Sequence, residues 1–189
     1  QPGDVMYDAI KYYSKKAETK SRILEQLHLQ GKEFVLTTLH REENTNNPAR
    51  LQHLAAALNT IHASMPVVLP LHPRTRNYLA AQNINLKAHV IDPVGYFDML
   101  MLLRHCRLVL TDSGGLQKEA YLSGKFCITL RDQTEWVELV KVGANVVVGA
   151  HSQKILSAFK KYRAKKVTAK PLYGKGDAAD RIAKSLKRL

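Results

Sequence analysis

The sequence predicts an α/β fold, a doubly wound parallel sheet with helices on both faces, and three observations carry that expectation. Short apolar runs rich in β-branched residues alternate with longer stretches of helical periodicity along the whole chain. The runs are nearly continuous in apolar character, as befits strands buried on both sides. Length and composition agree: 189 residues, 45% hydrophobic and 24% charged, describe a globular chain. A domain of this size can bury roughly 70% of its unfolded surface.

In chain order, residues 4–26 read as one long polar and apolar helix with Asp4 as its N-cap, a linking helix within 1–30 that precedes the sheet. Strands are predicted over 34–39, 67–71, 89–91, 108–111, 127–130 and 145–148, with helices over 50–63, 96–106 and 116–122, inside a domain spanning 31–172. Pro73 suits the first position of a further helix. The break Gly174-Lys175-Gly176-Asp177 precedes a last helix over 178–189, capped by Asp177, whose Ile182 and Leu186 share one face. Nothing in the sequence says what covers that face.

Lys and Arg number 29 against 16 Asp and Glu, a formal +13. From His151 to the end there are twelve basic residues and two acids, so most of the charge sits in the tail. Such a tail fits a nucleic-acid module or an anionic membrane surface, or else a solvated face meeting an acidic domain. Few aromatics accompany the lysines, which speaks against base stacking and leaves the solvated face as the reading; neither nucleic acid nor membrane is expected as a partner. The charge-free stretch 51–73 is interrupted by Gln52, Asn59, His62, Pro66 and Pro70 and is no membrane span. Gln1-Pro2-Gly3-Asp4 offers neither an initiator Met nor a signal peptide, so a chain that begins mid-protein is expected. Cys106 and Cys127 form no metal-binding spacing and no disulfide framework, which implies reduced thiols, a cytoplasmic setting and no metal site.

In an open parallel sheet ligands bind beyond the carboxyl ends of the strands, and four such junctions are polar. Leu39-His40-Arg41-Glu42-Glu43-Asn44 offers an imidazole and a guanidinium to a phosphate or sugar oxygen, or else a helix-entry loop with its own ion pair. Leu71-His72-Pro73-Arg74 is a weaker candidate. Asp112-Ser113-Gly114-Gly115-Leu116-Gln117-Lys118-Glu119 is the sharpest: two glycines let an anion approach the backbone, and free N–H groups at the helix start accept phosphate oxygens. Glu119, one turn later, suits the vicinal hydroxyls of a ribose. The segment is neither a dinucleotide fingerprint nor a P-loop, which disfavours nicotinamide and ATP. In Arg131-Asp132-Gln133-Thr134-Glu135-Trp136-Val137-Glu138, Thr134 is expected to cap the helix carrying Glu138, and Trp136 either paves the pocket or fills core.

Together His40-Arg41-Glu42-Glu43-Asn44, His72-Pro73-Arg74, Asp112-Ser113-Gly114-Gly115-x-Gln117-x-Glu119-Ala120 and Arg131-Asp132-x-Thr134-Glu135 resemble, in order and spacing, the non-hydrolysing UDP-N-acetylglucosamine 2-epimerase family. Tyr173-Gly174-x-Gly176-x-Ala178-Ala179-x-Arg181-Ile182 is similar to its C-terminal signature, and Gly3 to Ala9 to its domain-linking segment. The resemblance implies a GT-B-like enzyme of two Rossmann-like domains, of which this chain is the second, UDP-binding half. Residues 173–189 would then pack toward an N-terminal domain. It places Ser113, Gly114 and Gly115 on the diphosphate, Glu119 on the ribose and His40 in the active site. Arg41, Glu43 and His72 match positions that contact a second, regulatory UDP-sugar in some bacterial members. The implied reaction removes the C2 proton, eliminates UDP to a glycal and re-adds it to the opposite face without a cofactor. Its acid and base carboxylates come largely from the other domain, so the chain alone should bind UDP without turnover. A homodimer is implied for the full-length enzyme. Lys118 and Trp136 depart from the common Gln-Glu-Glu-Ala and Thr-Glu-Arg-Pro-Glu strings and resemble the branch of archaeal-type and UDP-2,3-diacetamido-2,3-dideoxyglucuronate 2-epimerases. The donor half of a GT-B glycosyltransferase is the alternative.

Overall fold

A computed structural model describes residues 1–168 and 170–187. Its centre is a six-stranded, wholly parallel sheet in the order β3-β2-β1-β4-β5-β6. The strands are β1 (Val35–Thr38), β2 (Val67–Pro70), β3 (His89–Ile91), β4 (Leu108–Thr111), β5 (Cys127–Thr129) and β6 (Asn145–Val147). All six fall within the runs that the sequence marks. Val35 stands between Val67 on one side and Leu108 on the other. From β1 the chain therefore winds outward in one direction and later returns to wind in the other, which opens a crevice past the carboxyl ends of β1 and β4.

Successive strand residues feed two cores. Val35, Val67, Leu69, Leu108, Leu110 and Ile128 pack against α4 (Pro48–Ser64) and α9 (Ser152–Tyr162), through Leu54, Leu58, Ile61, Ile155 and Phe159. Leu36, Val68, Val109 and Cys127 face the other way, onto α1 (Val5–Lys20), α2 (Ile23–Gln26), α6 (Tyr96–His105) and α7 (Gly114–Leu122). The remaining helices are α3 (Glu42–Thr45), α5 (Pro73–Ala81), α8 (Val137–Lys141) and α10 (Ala178–Leu186). Cys106 and Cys127 are free and buried, and burial pushes both thiols up to about 12. Among the described residues no helix is long and apolar enough to cross a membrane.

Two helix expectations change. The helix over 4–26 is broken: Ser21 leaves α1 in extended conformation, its N–H closing on the Ala17 carbonyl and its hydroxyl donating to Asp98 Oδ1 of α6 at 2.6 Å. A contact made across 77 residues thus ends a helix whose local sequence would continue. Asp4 does cap α1, accepting from the Met6 N–H at 2.8 Å. Asp177, by contrast, makes no cap bond to α10. The orphan N–H groups of Ala178 and Ala179 reach Asp8 of α1 instead, at 3.1 and 2.7 Å. Ile182 and Leu186 are 37% and 65% exposed on α10, while Arg188 and Leu189 lie outside the described residues.

Because that cap is borrowed from α1, Asp8→Ala should cost about 1 kcal/mol. For a chain of this size that is a fall in Tm of about 2–4 °C, with faster amide exchange confined to α10. Unchanged exchange in α10 would contradict the cap.

Candidate functional site

β1 and β4 end side by side on Thr38 and Thr111, whose hydroxyls meet at 2.6 Å. The next residue after β4, Asp112, is fully buried. Its carboxylate accepts the N–H of His40 at 3.2 Å, the N–H of Arg41 at 3.1 Å and the Asn44 amide at 3.2 Å. His40 Nδ1 stands 3.4 Å from the same carboxylate. A buried charge needs this many donors to be tolerable. In satisfying it, the polar turn after β1 is folded down over the end of β4. Asn44 continues outward, donating to the Leu130 carbonyl after β5 at 2.9 Å and accepting from Arg50 Nε at 3.0 Å.

Ser113 opens α7 as its N-cap; its own N–H donates to Thr111 Oγ1 at 2.9 Å, and its hydroxyl accepts from Leu116 at 3.4 Å. The two glycines that follow serve different ends. A Cβ on Gly114 would collide with the Glu135 carboxylate, whereas one on Gly115 would meet nothing within 4 Å. Burial works to raise the Glu135 carboxyl, but its own backbone N–H, Arg131 at 2.7 Å and Arg41 together hold it below the ordinary range. Gly114 is thus required by a protein carboxylate, and Gly115 leaves the helix start open.

That opening gives onto a cavity of about 400 Å³. Ser113, Gly115, Leu116 and Glu119 form one wall, His40 and His72 stand at the strand ends, and Pro93, Val94 and Met99 supply an apolar side. Burial raises the Glu119 carboxyl above its ordinary value. His72 is also the N-cap of α5, accepting from the Arg74 N–H at 3.2 Å.

The fold therefore gathers His40, His72, Ser113, Gly115 and Glu119 around one space. Gly114, Arg41, Glu43 and Trp136 are not among the cavity-lining residues. Arg41 and Glu43 belong with Arg131 and Glu135, the Arg131 Nε lying 3.7 Å from Glu43. Trp136 packs behind α7, donating its indole N–H to the Gly114 carbonyl at 2.8 Å. Thr134 does not cap α8, whose N-cap position is Trp136; its hydroxyl accepts from the Trp136 N–H at 3.1 Å and donates to Gln117 Oε1 at 2.6 Å. Reading polar junctions alone passed over the β3 junction, where Pro93, Val94 and Met99 carry no charge. It also gave Asp112 no role, although its place directly after a buried strand was the available signal.

The family model described as UDP-N-acetylglucosamine 2-epimerase matches residues 1–187. A UDP-2,3-diacetamido-2,3-dideoxy-D-glucuronate 2-epimerase of Pseudomonas aeruginosa is 48% identical over 189 residues, covering 99% of this chain and 52% of that protein. The structure of the UDP-GlcNAc 2-epimerase of Methanocaldococcus jannaschii superposes with a TM-score of 0.88 at 35% identity, covering 99% of this chain and 55% of the other. A structure of the M. jannaschii enzyme in complex with UDP-GlcNAc and UDP gives 0.86 at 36% identity, covering 99% and 54%. The chain spans about half the length of the curated relatives it matches. Matched from its first residues to its last described ones, it belongs to the UDP-N-acetylglucosamine 2-epimerase family.

Proposed function

We propose that this chain is the UDP-binding half of a nucleotide-sugar 2-epimerase and that UDP occupies the cavity past β1 and β4. The observation that carries this reading is the combination on α7: an open helix start at Ser113 and Gly115, with a carboxylate that has no hydrogen-bond partner among the described residues, Glu119, one turn along the same wall. The diphosphate takes the N–H groups and the positive end of the helix dipole. Glu119 accepts the two ribose hydroxyls, and the apolar side of Pro93, Val94 and Met99 receives the uracil ring. His40, oriented by Asp112, stands where the sugar leaves the diphosphate and serves the active site from this half.

The reaction proposed is proton removal at C2, elimination of UDP to a glycal, and return of UDP to the other face. In it, this chain holds the leaving UDP in place between the two steps, so that re-addition is effectively intramolecular. The named relatives differ in sugar and share the UDP moiety, which is why the nucleotide is the firmer half of the proposal. Residues 1–30 are proposed to link, and 31–172 to bind UDP. Residues 173–189 are proposed to pack toward a further N-terminal domain, in keeping with the exposed Ile182 and Leu186. A homodimer, and cytoplasmic action in keeping with two buried free thiols, belong to the same proposal.

Calorimetry tests the ribose contact. Glu119→Ala removes a charged acceptor worth about 1.5–3 kcal/mol, roughly a 10- to 150-fold loss of UDP affinity; equal affinity would overturn the assignment. The pH dependence follows with its sign. Because burial raises the Glu119 carboxyl, its ionised form is penalised in the fold, and a diol that needs that form binds more weakly as pH falls through the raised value. The ratio of unchanged to Glu119→Gln affinity should shrink on acidification; a constant ratio contradicts the role. Finally, the chain alone should place no deuterium at C2 of a UDP-sugar in heavy water, since the proposed acid and base groups are supplied from outside it. Exchange at C2 would contradict that division of labour.

A further inference from the structure

Behind the UDP wall lies a buried ammonium that the proposed chemistry does not use. Lys118 is 7% exposed, and its Nζ sits 2.5 Å from Asp4 Oδ2, 4.2 Å from the Trp136 ring centre and 5.2 Å from that of Tyr173. Asp4 is committed on every side: its other oxygen caps α1, and its N–H donates to the Tyr173 carbonyl at 3.0 Å. Tyr173 in turn donates its hydroxyl to Glu138 at 2.6 Å. At this point the first and last segments of the chain cross on two glycines in left-handed conformation, Gly3 with φ +109° and Gly174 with φ +85°. They cross so closely that a Cβ on Gly174 would come within 3.0 Å of the Gly3 Cα.

We propose that Lys118 is a positioning residue, a clasp that ties the crossing of the two end segments to α7 and so sets the distance between Ser113 and Glu119 on that helix and the rest of the UDP cavity. The inference rests on the UDP reading given above for the ligand that it names. The geometry supplies two links from the crossing to the helix. One is the ion pair from Asp4 to Lys118, next in sequence to Glu119. The other runs from Lys118 across the Trp136 face, whose N–H holds the Gly114 carbonyl at the helix start. A cation enclosed by a carboxylate and two ring faces has one low-energy position, because any displacement leaves it desolvated and unpaired. A shift at Gly3 or Gly174 therefore moves α7 or breaks the pair.

Removing one partner alone strands the other charge and can unfold the chain, so the decisive variant replaces both, Asp4→Asn with Lys118→Met, which keeps lengths and volumes and is close to neutral for stability. Lys118→Arg keeps a cation able to pair with Asp4 and to lie over the two ring faces, and serves as the rescue. UDP affinity by calorimetry and amide exchange over 113–119 are measured on the unchanged chain and both variants, with β4 amides as the internal reference. The clasp predicts at least tenfold weaker UDP binding and at least tenfold faster exchange over 113–119 in the double variant, unchanged exchange in β4, and recovery of both in Lys118→Arg. Unchanged affinity in the double variant, whatever its exchange, overturns the positioning role, and so does a loss that Lys118→Arg shares. Failure of the unchanged chain to bind UDP overturns instead the reading of the cavity and the ligand named here, while the exchange data still report whether the crossing and α7 are coupled.

Discussion

The site depends on one buried negative charge at the point where the sheet changes direction. A carboxylate taken out of water costs several kcal/mol unless donors replace its hydration. Asp112 finds them only by drawing the turn after β1 onto the end of β4. That single requirement fixes His40 and Arg41 by their backbone N–H groups and sets the His40 ring beside the same carboxylate, so the imidazole lines the cavity on a rigid support. Through Asn44 the same requirement extends to the carbonyl after β5 and to Arg50, which pairs with Asp132 at 2.8 Å. The ends of three strands are thereby tied to one residue.

The opposite wall, α7, is held from behind by polar contacts that leave its front free. Gln117 is buried and accepts from Thr134 and Asn145 while donating to the Ser113 carbonyl. Trp136 secures the Gly114 carbonyl, and Lys118 reaches the start of α1. Gln117, Lys118 and the Gly114 carbonyl are thus paired within the protein, whereas Ser113, Gly115 and Glu119 on the front give onto open space. A helix so anchored can present its N-terminus to an anion without moving to meet it, which is the condition for preorganised binding.

Much of this was legible in the sequence because it is written locally. The 89–91 and 108–111 strands coincide with their runs, and the Asp112 to Glu119 string forms the junction from β4 into α7 that its polarity and glycines mark. What escaped was tertiary. The break at Ser21 needs Asp98, and the cap of α10 is Asp8, each distant in sequence. Two adjacent glycines looked equivalent, yet Gly114 yields to Glu135 and Gly115 to the cavity. Trp136 had two readings on the residues alone, and only the position of Gly114 and Lys118 behind α7 decides for packing. The apolar side of the cavity gave no signal at all, since Pro93, Val94 and Met99 look like any loop and helix entry.

The most direct test of the account is a crystal structure of this chain with UDP. It should have the diphosphate on the hydroxyl of Ser113 and the N–H of Gly115 at the start of α7, both ribose hydroxyls on Glu119 and the uracil against Pro93, Val94 and Met99, with the Asp112 contacts to His40 and Arg41 unchanged. A nucleotide bound away from the start of α7, or one that enters only after the turn carrying His40 has left Asp112, would contradict it.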